Sequence, residues 1–435
     1  MKSAHISRRN FIKHAATAAG AALAFPYIVP SSVFGANAPS NRIVMGAIGV
    51  GGQGTGNLRG FLGKSVVQVV AIADVDAGHL NNAVGIVNGH YGNKDCKGYG
   101  DFRELIARSD IDAISMATPD HWHAGTVIPA LKAGMDVYGE KPLTHDLREG
   151  QALCAAVKRY ARIWQTGSWQ RSQAHFRHAC ELVRNGRIGK VHTVEVRLHH
   201  TNFTNAGTTV QPVPAELDWN FWLGAAPWRP YQGTAHGNWR QVLDWGGGNM
   251  MDWIGHMGDI AQWGMGYDET GPIEMQGQST FPASGLYDAM LSYKFTCQYA
   301  TGVTMIVGSL DQMPSVPGTE VGVRWIGDKG WLYVDRGTTL AEPQSLLREQ
   351  IGAGEIRLYD SRDHYQNFLD CIRTRQATIT PAATAHRSAS IGHLGLIAMQ
   401  TGRKIRWNPD TEQIIGEAGA SALLGRAYRE PWNIV

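Results

Sequence analysis

Asp252 and His256 stand four residues apart behind a glycine run, in Trp239-Arg240-x-x-x-Asp244-Trp245-Gly246-Gly247-Gly248-Asn249-Met250-Met251-Asp252-Trp253-Ile254-Gly255-His256. The glycines let backbone approach a ligand, and a helix is expected to start after them. At a spacing of four, both side chains share one helix face, one turn apart. A carboxylate so placed orients an imidazole and supports its cationic form, which suits a general base taking a hydroxyl proton. The plainer alternative is a capped amphipathic helix whose histidine packs. A second group of chemically able residues lies upstream, in Thr118-Pro119-Asp120-His121-Trp122-His123 and Glu140-Lys141-Pro142. His121-x-His123 invites a metal, but no cysteine or carboxylate cluster nearby completes a four-ligand set, so no metal is assigned.

What positions the upstream group is an alternation of strands and helices. Arg42 to Ile48 reads as a strand buried on both faces. It breaks into Gly49-x-Gly51-x-x-Gly54 and continues as a helix through Leu58 and Phe61. This is a dinucleotide fingerprint: one glycine for the tight turn, one for close approach to a pyrophosphate, and one for helix–strand packing. Gly49, Gly51, Gly52, Gln53 and Gly54 are therefore assigned to a cofactor, with phosphates at the helix N-terminus. The next strand, Val66 to Ala73, ends in Asp74, 20 residues after Gly54, where a carboxylate reaches the adenosine ribose hydroxyls. Asp74-Val75-Asp76 would repel a 2′-phosphate, so NAD is expected rather than NADP. A helix follows near residues 77–87, and Gly98-Tyr99-Gly100-Asp101 opens another with Asp101 as N-cap. Strands at Ile111–Thr118 and Asp136–Tyr138 complete a doubly wound parallel sheet, an α/β fold whose strand ends line the ligand crevice. The 118–123 turn and Glu140-Lys141 both lie at such ends.

Fingerprint, Thr118-to-His123 turn and Glu140-Lys141-Pro142 together resemble the glucose–fructose oxidoreductase/inositol dehydrogenase family, Gfo/Idh/MocA. The resemblance covers nearly the whole chain after its leader and is closest to secreted, twin-arginine-bearing members. It implies that Lys141 sits by the nicotinamide and the substrate hydroxyl. Beside a cationic oxidised ring and poorly solvated, its charged form would be disfavoured. It also implies cofactor contacts for Thr118, Pro119, His123 and Glu140, and a proton relay of Lys141 and His256 oriented by Asp252. The family's glucose–fructose oxidoreductases hold NADP, from which the Asp74-Val75-Asp76 run departs.

Past residue 166 the pattern changes. Trp164 to Arg171 is read as a last strand and a crossover, and His175–Asn185 as a helix, with His175 and His178 packing or capping. Val191–His199 alternates as a half-exposed strand. Further strands are expected at Met290–Phe295, Thr304–Ser309, Val321–Ile326 and Gly330–Val334, giving an α+β domain with a large open, mostly antiparallel sheet. Seven of the fourteen tryptophans fall within 219–263. About half are assigned to the core, and those on loops near the glycines to stacking on a sugar face. Trp169, Gln170, Arg171 and Arg240 are candidate substrate contacts, with hinge packing and salt bridging as the alternative. The expected organisation is a leader over 1–38, a Rossmann domain over 39–166, a substrate and oligomerisation domain over 167–400, and a tail over 401–435 packing on the body. The open sheet face points to a homodimer or homotetramer.

The leader reading rests on Ser7-Arg8-Arg9-Asn10-Phe11-Ile12-Lys13 and the apolar run Ala15–Phe25 that Pro26 ends. This is a twin-arginine export signal, too short for a membrane span of ~20 residues. Cutting after Ala38, cutting after Gly35 and retention as an anchor stay open. Such chains leave the cytoplasm folded, so a cofactor is expected to be loaded there, held tightly and regenerated in place. Lys+Arg of 40 against Asp+Glu of 37 is balanced and disfavours nucleic acid. Five cysteines without C-x-x-C spacing are expected as free thiols. The resemblance thus implies a periplasmic or otherwise exported NAD-dependent oxidoreductase acting on a sugar, sugar acid, cyclitol or glycoside. A rival is NAD-assisted glycoside cleavage by oxidation, elimination, hydration and reduction, although related NAD-dependent glycosidases usually lack the Glu-Lys-Pro motif. A second rival is a non-enzymatic sugar-binding or dinucleotide-sensing protein.

Overall fold

The apolar runs of the first domain become six parallel strands: β1 (Ile43–Ile48), β2 (Val67–Ala73), β3 (Lys97–Tyr99), β4 (Ala113–Met116), β5 (Asp136–Gly139) and β6 (Trp164–Thr166). In this computed structural model, which describes residues 41–201, 208–233 and 235–434, they pair in the order β3-β2-β1-β4-β5-β6. The strand order reverses between β1 and β4, and that switch point opens the ligand crevice of a doubly wound sheet. Two apolar clusters cover its faces, one around Leu58, Phe61 and Val87, the other around Leu105, Val127 and Leu153. β3 is one strand beyond expectation. Its three residues, two of them exposed, carry no apolar periodicity.

The second domain is a nine-stranded mixed sheet. Its strands are β7 (Val191–Leu198), β8 (Glu274–Thr280), β9 (Ser292–Gln298), β10 (Thr304–Ser309), β11 (Gly322–Gly327), β12 (Gly330–Val334), β13 (Thr339–Glu342), β14 (Ile405–Asn408) and β15 (Gln413–Ile414). The order is β13-β12-β11-β7-β10-β9-β8-β14-β15, and only β7–β10 is parallel among these pairs. Along β9 burial alternates: Tyr293, Phe295 and Cys297 enter the core beneath the helix Ala382–Thr401, while Ser292, Lys294, Thr296 and Gln298 face the other way. Four strands were not anticipated. β8 contributes only Met275 to the core, so its sequence lacks the alternation that marks a strand.

The domain boundaries are crossed by the chain's own returns. The helix His364–Thr374 places Phe368 and Leu369 in the first domain's core. The tail splits in two: β14 and β15 extend the second sheet, and the stretch after Leu424 goes back to the Rossmann side. There Arg426 donates to Glu149 and to the His121 carbonyl, and Trp432 stacks on Phe221 at 5.4 Å. The leader expected over 1–38 lies outside the described residues. All five cysteines are free, and no helix among the described residues is long and apolar enough to cross a membrane.

Candidate active site

The glycine turn is shaped by close backbone packing. Gly49 has φ +73, and a Cβ there would lie 2.8 Å from the Thr118 nitrogen. A Cβ on Gly54 would lie 1.9 Å from the Gly49 carbonyl oxygen, so this glycine packs helix against turn and does not itself line the crevice. Gly52 has nothing within 4 Å of such a Cβ. It opens on a cavity of about 700 Å³ that Gly49, Gly51, Gly52 and Gln53 line. The helix Gly52–Leu62 begins with no side-chain cap and no acidic residue in its first turn, so its free N–H groups suit phosphate. Asp74 stands at the end of β2. Its carboxylate accepts from the Val50 and Asp76 N–H groups at 2.7 and 2.9 Å, and burial raises its pKa against those bonds. An open glycine cradle, an uncapped helix start and a fixed carboxylate fit a dinucleotide.

The end of β5 is tied to the same helix. Glu140, buried, accepts from Asn57 at 2.9 Å and Gln53 at 3.2 Å; burial raises its pKa against the Lys141 charge and the Asn57 bond. Next in sequence, Lys141 crosses into the second domain, donating to the Asp252 carboxylate at 2.5 Å and to the Asp252 carbonyl at 2.9 Å. Arg240 donates to the same carboxylate oxygen at 2.9 Å. Burial opposes ionisation of Asp252, but Lys141 and Arg240 outweigh it and hold the carboxyl well below its usual range.

His256 does not sit where a regular helix would put it. The helix Gly248–Trp253 passes into a π-helical turn, Ile254–Gly258, before the helix Asp259–Met265 resumes. The wide turn shifts the phase of the helix face, and no hydrogen bond joins Asp252 to His256. The expectation that Asp252 orients His256 is thus corrected: its partners are Lys141 and Arg240. His256 is 7% exposed, and its Nδ1 has no hydrogen-bond partner among the described residues. Burial, with the Lys141 and Arg336 charges, pushes its pKa well below 6.5, leaving a neutral imidazole. Lys141, Asp252 and His256 nonetheless line one cavity, and a Cβ on Gly255 would touch the Lys141 stem at 3.1 Å.

Thr118, Pro119, Glu140, Trp169 and Arg240 also line this cavity; His123, Gln170 and Arg171 do not. The ring nitrogens of His123 lie 2.8 and 3.0 Å from the Pro142 and Thr118 carbonyl oxygens, and burial lowers its pKa to about 4. It therefore ties two cavity-lining turns together from behind, which corrects its assignment as a cofactor contact. Arg171, 2% exposed, meets Asp259 at 2.7 Å and Asp268 at 2.7 Å, and its donors are taken up there. Gln170 is buried against Met257 and accepts from Arg336. Neither faces the cavity, so both substrate assignments are withdrawn.

Among the tryptophans of 219–263, Trp222, Trp239 and Trp253 line the cavity, whereas Trp245 is fully buried with its ring edge-on to those of Trp219 and Trp222. Sequence reasoning missed Asp120 and Arg336. Asp120 is 5% exposed, lines the cavity and has no side-chain hydrogen bond among the described residues. Burial pushes its pKa up to about 8 against Arg240 and Lys141. Its place inside the 118–123 turn was the available signal. Arg336 lies on a hairpin far along the chain, and nothing local marks it. No group of three His, Cys, Asp or Glu side chains among the described residues comes together to hold a metal ion.

Both domains match known proteins. The Gfo/Idh/MocA profile described as "Oxidoreductase family, NAD-binding Rossmann fold" matches residues 43–168, and its companion, the C-terminal alpha/beta domain, matches 172–434. An uncharacterized oxidoreductase of Bacillus subtilis, YrbE, is 24% identical over 83% of this chain and 95% of its own length. A glycosyl hydrolase family 109 protein of Shewanella baltica is 32% identical over 33% of this chain and 35% of its own. In fold, the chain is similar to the WlbA dehydrogenase of Bordetella pertussis solved with NADH and UDP-GlcNAcA. That likeness has a TM-score of 0.61 at 16% identity and covers 84% of this chain and 99% of that one.

Proposed function

Because the chain belongs to the Gfo/Idh/MocA oxidoreductase family, we propose that it transfers a hydride between a carbohydrate-type carbinol and a tightly held NAD. The observation that carries this is the meeting of Lys141, from the end of β5, with Asp252, on the helix Gly248–Trp253, and His256, on the π-helical turn after it, on the cavity into which the glycine turn opens. Gly49, Gly51, Gly52, Gln53 and Asp74 would hold the dinucleotide. When bound, its nicotinamide supplies the hydride acceptor or donor. The residues of the chain manage the proton. In the oxidising direction the hydroxyl proton passes to the neutral His256 imidazole while Lys141, fixed by Asp252, donates a hydrogen bond to the oxygen as charge develops on it. In the reducing direction the proton returns from His256 to that oxygen. Asp74 and the neighbouring Asp76, which caps the following helix, favour NAD over NADP.

Export by the twin-arginine route, through Arg8 and Arg9, belongs to the same reading and explains why the nucleotide would be retained rather than exchanged. Assembly through the open sheet face, as a dimer or tetramer, completes it. NAD-assisted glycoside cleavage is the second reading, favoured by the partial similarity to the Shewanella protein. The test is to purify the full chain, identify the nucleotide that co-purifies, and follow its absorbance while sugars, cyclitols and synthetic glycosides are added. Reduction or oxidation of the bound nucleotide by a sugar supports hydride transfer. Release of an aglycone without net nucleotide change supports cleavage, and a protein that carries no nucleotide and binds none defeats both.

A further inference from the structure

Resting on the reading of this cavity as a carbohydrate site, we infer that its substrate carries an anionic group, a carboxylate or phosphate, gripped by Arg336 and Arg240. Arg336 sits on the β12–β13 hairpin, in the loop Asp335-Arg336-Gly337-Thr338. The loop is held in one shape by Asp335, whose carboxylate accepts from the Gly337 and Thr338 N–H groups at 2.8 and 2.6 Å. His175 contacts the Asp335 carbonyl at 3.0 Å. The hairpin thus delivers its guanidinium to the cavity rim, over the rings of Trp169 at 4.7 Å and Trp253 at 4.6 Å. Its hydrogen bonds run from Nε and Nη2 to the Gln170 amide oxygen at 3.3 and 3.2 Å. No carboxylate lies within ion-pair distance of it among the described residues, and Nη1 has no partner there.

Arg240, which is paired with Asp252, also lies over a tryptophan ring. Its guanidinium lies 4.3 Å from the Trp239 ring, and Nε donates to Asp252, leaving both Nη atoms without partners among the described residues. Stacked guanidinium planes with free edges are prearranged for the two-pronged recognition of carboxylate and phosphate oxygens. The charge balance agrees. Of the carboxyls lining this part of the cavity with Lys141, Arg240 and Arg336, Asp252 is held ionised, while burial opposes ionisation of Asp120 and of Glu140, which Asn57 and Gln53 already occupy. A neutral sugar would leave that excess uncompensated in a partly dry cavity. The cofactor's own phosphates do not account for it, since the glycine turn and the uncapped helix start await them, beside Asp74 and Asp76.

The test uses the full chain with its nucleotide, titrated with D-glucuronate, D-galacturonate and D-gluconate, with glucose 6-phosphate, and with D-glucose and D-galactose. Binding is followed by tryptophan fluorescence and turnover by nicotinamide absorbance. At least one acid or phosphate is expected to bind about tenfold or more tighter than its neutral counterpart. Arg336→Gln should remove that preference and raise KM for the anion with little change in kcat, and Arg336→Lys should restore part of it. The carboxylate and phosphate arms identify the group. Anions bound no tighter than neutral sugars, including no binding of either, overturn the inference, as does a preference that survives Arg336→Gln. Reduction of the nucleotide by neutral sugars alone leaves hydride transfer standing without the anion. Arg336-dependent anion binding with an inert nucleotide leaves the anion site standing without hydride transfer.

Discussion

Replacing Asp252 by Asn isolates the contact on which the site turns. The Lys141 and Asp252 side chains are 11% and 23% exposed, so their 2.5 Å ion pair is only weakly screened by water. The amide keeps an oxygen for Lys141 or Arg240 but loses the charge that strengthens both bonds. Charge-assisted bonds contribute about 1.5–3 kcal/mol against about 0.5–1.5 for neutral ones. Two contacts weakened together, with the two cations no longer separated by a negative charge, predict a loss of about 2–4 kcal/mol. The partner is identified by double-mutant cycles. With Lys141→Met the coupling to Asp252→Asn should be about 2 kcal/mol, because either change alone already breaks the pair. With His256→Phe it should stay below about 0.5 kcal/mol, because a neutral ring that makes no bond to Asp252 has little to lose. Urea unfolding near neutral pH measures both cycles, and kcat/KM for nucleotide reduction should fall about 30-fold or more in Asp252→Asn. Strong coupling of 252 to 256 and none to 141 would refute the assignment of Asp252 to the lysine.

Gly54→Ala places a methyl group 1.9 Å from the Gly49 carbonyl oxygen; we expect about 1–3 kcal/mol of destabilisation and loss of co-purifying nucleotide, read by thermal unfolding and nucleotide assay. Gly52→Ala, where a Cβ meets nothing, should melt as the parent does once both are stripped of nucleotide, yet retain less nucleotide on purification. Arg171→Met leaves Asp259 buried without its cation, which should cost about 3–5 kcal/mol in unfolding experiments while KM of the surviving folded enzyme is unchanged. A base is active when unprotonated, so rate is lost as pH falls through its pKa; with His256 pushed well below 6.5, kcat/KM for oxidation should stay level as pH drops through that value. Asp120 ionises as pH rises through about 8, adding a negative charge beside Lys141 and Arg240, so the pH–rate profile should bend there and Asp120→Asn should remove the bend.

The first domain was legible because its signals are local. A buried strand, a glycine turn and an acid at a set distance all lie within one stretch of chain, and strand order follows from handed crossovers. Lys141 and His256, which share one cavity, stand out in the sequence through their immediate neighbours. What escaped was whatever depends on partners distant in sequence. Nothing around Asp252 announces a π-helical turn, so a regular helix gave the carboxylate to the wrong side chain. For Arg171 the sequence leaves substrate contact and salt bridging side by side, and only Asp259 and Asp268, some 90 residues on, decide for the second. His123 sits in a binding motif yet acts from behind the wall. β8 was missed because a polar strand between two others needs no apolar alternation to pair. Arg336 reaches the cavity only through the nine-stranded sheet, and no pattern in its own loop foretells that.

The returning tail has a consequence for how the molecule is made. Arg426 and Trp432 brace His121, Trp122 and Phe221, and the last two of these line the cavity. A growing polypeptide therefore cannot finish the wall around the fingerprint until the ribosome has passed Trp432, long after the glycine turn has emerged. Nucleotide capture before that moment would meet a half-built pocket, so loading belongs to the time after the tail has left the ribosome.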